Sequence, residues 1–148
     1  MKIKIRKARK DDFEGYLILR KQTFREYKLK ERKGEGKKIK DEFNNILKSP
    51  KSLLIVVESR DELVGYFIAT FLSNVWNKST YLDDISVKKE FRRKGIAYKL
   101  MRELFKQAKQ KRCDNIRLGV LTGNKKALSL YKKFGFKIKH YDMEKKLK

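Results

Sequence analysis

Residues 81–98 read Tyr-Leu-Asp-Asp-Ile-Ser-Val-Lys-Lys-Glu-Phe-Arg-Arg-Lys-Gly-Ile-Ala-Tyr, and the architecture can be worked out from this stretch. An apolar strand that carries Asp83 and Asp84 runs into a basic turn, and Gly95 opens an amphipathic helix. Glycine permits backbone angles at which successive amides point to one place, and free amides at a helix start attract anions. The stretch therefore predicts a site suited to a pyrophosphate; the alternative is a basic surface turn that happens to contain a glycine.

The length of 148 residues predicts one domain, over residues 1–148. A hydrophobic fraction of 40%, with nine Phe and seven Tyr, argues against disorder. No apolar run approaches the roughly 18 residues that a membrane span needs. The first residues, Met-Lys-Ile-Lys-Ile-Arg, lack the apolar run of a signal peptide, so we expect a cytoplasmic protein.

The net charge of +23, from 41 basic and 18 acidic side chains, makes nucleic acid, an anionic membrane surface or an anionic cofactor plausible partners. The lysines are spread along the whole chain rather than gathered in a tail, so we interpret most of them as solvated surface. The one cysteine, Cys113, excludes internal disulfides and a cysteine-based metal cluster. His140 is also alone, and no metal site is predicted.

Hydrophobic periodicity and turn residues predict the element order β-α-α-β-β-β-α-β-α-β-β. The expected helices cover about residues 13–27, 38–48, 95–111 and 125–134, and the expected strands about 2–8, 52–58, 63–72, 80–87 and 115–121, with two more in 136–147. A helix between the fourth and fifth strands makes those two strands parallel, while the earlier hairpins are antiparallel. The prediction is an α/β (α+β) fold with a mixed central sheet of about seven strands and four helices on its two faces.

A second motif lies downstream, where residues 124–136 read Asn-Lys-Lys-Ala-Leu-Ser-Leu-Tyr-Lys-Lys-Phe-Gly-Phe. Taken alone, its apolar positions are an ordinary amphipathic stripe that core packing explains. Together with Arg92, Gly95 and Ala97, however, it resembles the paired motifs of the GNAT superfamily of acyl-CoA-dependent N-acyltransferases: R/Q-x-x-G-x-G/A, followed by N-x-x-A-x-x-L-Y-x-x-x-G-F. The two motifs stand in the family's order, about 30 residues apart, with one helix and one strand between them.

The resemblance implies acetyl-CoA as the cofactor and assigns its contacts. In the family the fourth and fifth strands splay apart, and the pantetheine arm bonds to the backbone of the fourth. The corresponding cofactor-binding residues here are Ile85, Ser86 and Val87 on the strand, Arg92, Arg93, Lys94, Gly95, Ile96, Ala97 and Tyr98 in the pyrophosphate turn, and Asn124, Ala127 and Tyr131 in the second motif. Tyr131 would also be the general acid that protonates the departing thiolate.

An alkyl amine with a pKa near 10.4 is protonated at neutral pH, and exposing its lone pair costs roughly 4–5 kcal/mol, so a carboxylate base is needed. The alternation of a strand places Asp83 and Asp84 on opposite faces. Their surroundings are similar to the Tyr-Leu-Glu-Asp-hydrophobic-x-Val run of spermidine/spermine N-acetyltransferases. By that resemblance Asp83 is the base, directly or through water, and Asp84 binds the amine; the alternative is that both merely decorate the strand. At the level of the fold, Glu26, Tyr27 and Tyr66 could line the acceptor site.

The leading hypothesis is therefore an N-acetyltransferase acting on a primary amine, with a small polyamine-like acceptor first. A protein N-terminus or lysine is the alternative acceptor. From a different class, the chain could be a nucleic-acid- or ribosome-binding protein on a GNAT scaffold. An exposed final hairpin could also support a homodimer.

Overall fold

The computed structural model describes all residues from 1 to 148, and they form two compact units, residues 1–118 and 119–148. The strands, all in the first unit, are β1 (Lys4–Lys7), β2 (Ser52–Ser59), β3 (Glu62–Ser73), β4 (Lys78–Val87) and β5 (Asn115–Leu118). The helices are α1 (Phe13–Glu26), α2 (Glu35–Lys48) and α3 (Ile96–Gln110) in the first unit and α4 (Lys125–Lys133) in the second. No helix is both long and apolar enough to cross a membrane. The expectation of a single domain stays a prediction.

The five strands lie side by side in chain order. β1 to β4 are antiparallel neighbours, and β5 runs parallel to β4 after the crossover through α3. This arrangement confirms the predicted mixed sheet. The basic turn follows Val87 directly and so lies at the carboxyl end of β4, and α3 runs back along the sheet to allow the parallel pairing of β5 with β4.

Helices cover both faces of this sheet. On one face, Tyr66 and Ile68 of β3 belong to a buried cluster with residues of α1 and α2, among them Tyr16 and Phe43. Gly65 points the other way, where a side chain would meet Ile96 and Leu100 of α3. Alternation along β3 thus separates the α1–α2 face from the α3 face.

The prediction of about seven strands is wrong by two. Residues 137–148 form no strand and make no backbone hydrogen bond, and Ile138, Tyr141 and Met143 are exposed. β5 also ends at Leu118 rather than near residue 121. Alternation of side chains is necessary for a strand, but its backbone groups also need a neighbouring ladder, which a sequence pattern does not supply. The possible homodimer stays a prediction, without the final hairpin on which it was based.

Candidate active site

β4 has one open edge, beginning at Asp83. Its ladder with β5 covers only Ser79–Leu82, whereas its ladder with β3 continues to Val87. From Asp83 to Val87, the edge of β4 that faced β5 therefore has no strand partner. Such an edge presents amide and carbonyl groups that can bond an extended, amide-containing ligand. Ile85, Ser86 and Val87, the predicted pantetheine contacts, all lie in this segment.

A β-bulge in β4 changes the direction of its acidic side chains. Ile68 of β3 pairs with Asp84, and the next residue, Ala69, pairs with Leu82, so Asp83 is the extra residue of the bulge. Asp83 accepts a hydrogen bond from Thr70 and Asp84 accepts one from Tyr66. Since residues 66 and 70 of β3 lie on the same face, both carboxylates lie on the α1–α2 face. The prediction of opposite faces is wrong, because it assumed uninterrupted alternation.

Asp83 has the environment of a weak base. The Thr70 hydroxyl donates to its Oδ2 at 2.6 Å, and the side chain is exposed on one side and partly buried against the sheet on the other. Burial by the surrounding strands raises the pKa of Asp83 and the charge of Asp84 raises it further, while the Thr70 hydrogen bond acts in the opposite direction. The net effect is a raised pKa, which makes the carboxylate a better proton acceptor than an ordinary aspartate.

Asp84 is held from two sides. Its Oδ2 accepts from the Tyr66 hydroxyl at 2.5 Å and from Nη1 of Arg20 at 3.0 Å. Nη2 of Arg20 donates to Oε2 of Glu42 at 3.3 Å. Three carboxylates, of Asp83, Asp84 and Glu42, thus have one arginine among them, which leaves this region with an excess of negative charge.

Tyr66 does not line an acceptor site, contrary to the prediction. Its side chain is 0% exposed, and burial raises the pKa of its hydroxyl well above the usual value, so it acts only as a donor to Asp84. Arg20 was overlooked among the site residues. Its signal in the sequence was a cation on the apolar stripe of α1, next to Phe24, whose ring lies 5.0 Å from the guanidinium carbon.

The basic turn has the form of an anion cradle. Gly95 has φ +82° and is the N-cap of α3, a conformation that a side chain resists. The amides of Gly95, Ile96 and Ala97 donate to no acceptor within the protein. Free amides and the positive end of a 15-residue helix therefore meet at this point, with Arg93 and Lys94 beside them. The chemistry of these residues suits a pyrophosphate, and their role in binding one stays a prediction.

Arg92 connects this turn to α1 and to β4. Its Nε donates to the carbonyl of Val87 at 2.9 Å, and its Nη2 donates to Glu26 at 2.7 Å. Glu26, predicted to line the acceptor site, thus bonds the basic turn in this structure, and its contact with the acceptor stays a prediction. Tyr27 follows at the end of α1 and is about half exposed.

In the second unit, the Asn124 side chain accepts from the amide of Ala127 at 3.1 Å and so caps α4. Tyr131 lies on this helix with its side chain 7% exposed and its ring 5.8 Å from that of Phe136, edge to face. Gly135, with φ +89°, ends the helical segment. The cap and the glycine stop hold Tyr131 in one short, well-defined helix.

A cavity of about 1100 Å³ lies elsewhere, between the start of β1, the β2–β3 turn and the Phe91–Lys94 segment. It contains neither Asp83 nor Asp84. This cavity therefore does not identify the site, which is identified by the open strand edge, the helix start and the paired acids.

Comparison with known proteins places these features in a family. The model of the acetyltransferase (GNAT) family matches residues 14–136. A thialysine N-epsilon-acetyltransferase from Sus scrofa is 42% identical over 74 residues, which is 49% of this chain and 44% of that protein. The chain thus matches less than half the length of this curated relative.

Solved structures match over nearly the whole chain. A transcriptional regulator from Bacillus halodurans C-125 has a TM-score of 0.86 at 23% identity, covering 99% of this chain and 100% of that one. An aminoglycoside N-acetyltransferase in complex with CoA has a TM-score of 0.83 at 16% identity, covering 98% and 94%. At these identities the two structures show that the fold is shared.

Proposed function

This chain belongs to the acetyltransferase (GNAT) family, and we propose that it transfers an acetyl group from acetyl-CoA to a primary amine. The family match over residues 14–136 confirms the resemblance carried by the two sequence motifs, and with it an acyl-CoA-dependent N-acetyltransferase fold. One observation carries the proposal for this chain: the open edge of β4 from Asp83 to Val87 leads directly to the unbonded amides at the start of α3.

Acetyl-CoA supplies the acetyl group as a reactive thioester. For its pantetheine arm, the chain offers the backbone of Ile85, Ser86 and Val87 along the open edge. For its pyrophosphate, it offers the turn of residues 92–98 at the positive end of α3. Asn124 and Ala127 complete the predicted cofactor contacts through the second motif.

Asp83 acts as the base in this proposal. Its carboxylate accepts a proton from the ammonium form of the acceptor, directly or through one water, and the freed nitrogen lone pair attacks the thioester carbonyl carbon. The raised pKa of Asp83 supports this role, because a stronger base shares the proton of an amine more readily. As the carbon–sulfur bond breaks, the Tyr131 hydroxyl would donate its proton to the sulfur, and the excess proton left on the acylated nitrogen would return to the Tyr131 oxygen, directly or through water.

The acceptor in this proposal is a small, cationic, polyamine-like molecule. Asp83, Asp84 and Glu42 give one face of the sheet an excess of carboxylates over the single Arg20, which attracts a cation with more than one charge. Asp84 keeps its proposed amine-binding role through Oδ1, the oxygen that neither Tyr66 nor Arg20 occupies. Glu26 and Tyr27 at the end of α1 complete the proposed acceptor region.

A protein N-terminus or lysine is the second candidate acceptor, favoured by the net charge of +23, which repels small polycations at long range. The same charge favours the third candidate function, binding to nucleic acid or the ribosome.

An amine panel tests these candidates with acetyl-CoA and detection of the free thiol. The panel contains spermidine, thialysine, an aminoglycoside, a lysine peptide and a peptide with a free N-terminus. Thiol release with spermidine or thialysine above the peptides supports the proposed acceptor, and release with a peptide alone replaces it with the second candidate. No release with any amine, together with an RNA mobility shift at physiological salt, would favour the binding protein.

A further inference from the structure

Four side chains of α1 bond residues 84–87 at the end of β4 or the turn that follows them. Going along the helix, Arg20 bonds Asp84, Gln22 bonds Val87 and Lys89, Thr23 bonds Ser86 at 3.3 Å, and Glu26 bonds Arg92. The last two turns of α1 therefore lie along the proposed pantetheine strand and reach the proposed pyrophosphate turn.

Gln22 makes the most informative of these contacts, because its amide bridges the strand and the turn. Its Nε2 donates to the carbonyl of Val87 at 3.2 Å, and its Oε1 accepts from the amide of Lys89 at 3.0 Å. One side chain thus satisfies a backbone acceptor at the last residue of β4 and a backbone donor two residues later. It fixes the path of the chain where β4 ends and the 3₁₀ turn of residues 89–91 begins.

The Val87 carbonyl also accepts from Nε of Arg92, at 2.9 Å. Gln22 and Arg92 therefore share one acceptor. A shift of the Val87 carbonyl would move the Arg92 guanidinium and, through Gln22, the backbone at Lys89. The amides of Gly95, Ile96 and Ala97 follow within a few residues, and an anion site built from amides depends on their mutual direction.

We propose that Gln22 is a positioning residue for the cofactor: it holds the entry to the pyrophosphate turn and so sets the affinity for acetyl-CoA without touching the reacting atoms. This proposal rests on the proposed function. A neutral amide suits the role, since it donates and accepts at once and adds no charge beside a polyanionic ligand. A glutamate keeps the acceptor for Lys89 but loses the donor for Val87 and adds a repulsive charge, whereas an alanine loses both contacts.

The test is calorimetric titration of CoA into the full-length protein and two variants. Gln22→Ala removes both backbone contacts and so loosens the entry to the turn, and we expect the Kd for CoA to rise roughly 5–30-fold. Gln107→Ala is the matched control, because Gln107 also makes one side-chain hydrogen bond, to Glu103 within α3, but does not contact the cradle. It should leave the Kd unchanged.

Kinetics separates positioning from a general loss of structure. The KM for acetyl-CoA should rise in Gln22→Ala while kcat at saturation, the KM for the amine and the pH at which activity appears stay unchanged. If Gln22→Ala unfolds, Gln22→Glu takes its place and should also weaken CoA binding. Equal CoA affinity in the wild type and either folded variant overturns this inference alone, whereas a wild-type protein that binds no CoA overturns the proposed function.

Discussion

Asp83 and Asp84 are consecutive residues of β4, yet both carboxylates lie on the same face of the sheet, because Asp83 is the extra residue of a β-bulge. The bulge begins where the pairing of β4 with β5 ends, so the two acids are the first residues of the unpaired edge of β4. Each has its own partners: Thr70 for Asp83, and Tyr66 with Arg20 for Asp84. This separation supports different roles for the two carboxylates.

Replacing Asp83 by asparagine removes the proposed base at nearly constant shape. General bases contribute typically 10²–10⁴-fold, so we expect kcat/KM to fall by roughly that factor at neutral pH. Raising the pH should restore part of the activity, because the amine then loses its proton to solvent. Asp61→Asn, a change at an exposed acid in the β2–β3 turn, serves as the control. A variant with the pH profile of the wild type would remove Asp83 from the mechanism.

Thr70→Val tests the tuning of the same carboxylate. A base must be ionised, so activity should appear as the pH rises through the pKa of Asp83, which lies above the usual aspartate range. The Thr70 hydrogen bond lowers that pKa; removing it raises the pKa further and shifts the acidic limb of kcat/KM to higher pH. Activity well above the limb should change little. An acidic limb that stays in place, or one that also moves in the exposed control Thr122→Val, contradicts the assignment.

Tyr131→Phe separates chemistry from binding. The variant keeps the ring that packs against Phe136 and loses only the hydroxyl proposed as the general acid. We expect kcat to fall roughly 10²-fold or more while the Kd for CoA, measured by titration, stays within about twofold. Turnover equal to that of the wild type in a steady-state assay would exclude Tyr131 as the acid.

Tyr66→Phe probes the buried support of Asp84. Hydrogen bonds to charged groups contribute about 1.5–3 kcal/mol, and the change leaves the ring packing of this fully buried side chain in place. Urea unfolding should therefore show a loss of roughly 1–3 kcal/mol. Tyr141→Phe, at a side chain that is 91% exposed, should change stability by less than about 0.5 kcal/mol. Equal midpoints for the two variants would mean that the Tyr66–Asp84 bond adds nothing to stability.

The sequence was sufficient for the order of the first nine elements, from β1 to α4, and for the position of the turn before α3. Gly95 and the basic run before it marked the start of α3, and the helix between β4 and β5 required their parallel pairing, which the structure contains. These features depend on local chemistry and on the handedness of crossovers, so a pattern of residues carries them.

Three features of the structure could not be predicted from the sequence, because they depend on residues that are distant in the chain. The bulge at Asp83 is a property of two strands in register, and the strand that contains it looks regular by itself. Tyr66 has the amphipathic side chain of a site residue, but its burial depends on α1 and α2, which are distant in the chain. The two strands predicted in residues 136–147 do not form, although apolar and polar residues alternate there, because no neighbouring strand bonds to their backbone.

The most direct measurement is of the product itself. Wild-type protein, acetyl-CoA and spermidine are incubated, and acetylated amine is quantified by mass spectrometry beside the free thiol of CoA, with Asp83→Asn in parallel. We predict equal amounts of acetylated amine and free CoA with the wild type, and a rate at least about 100-fold lower with the variant at neutral pH. Free CoA without acetylated amine, or equal rates for the two proteins, would contradict amine acetylation with Asp83 as its base.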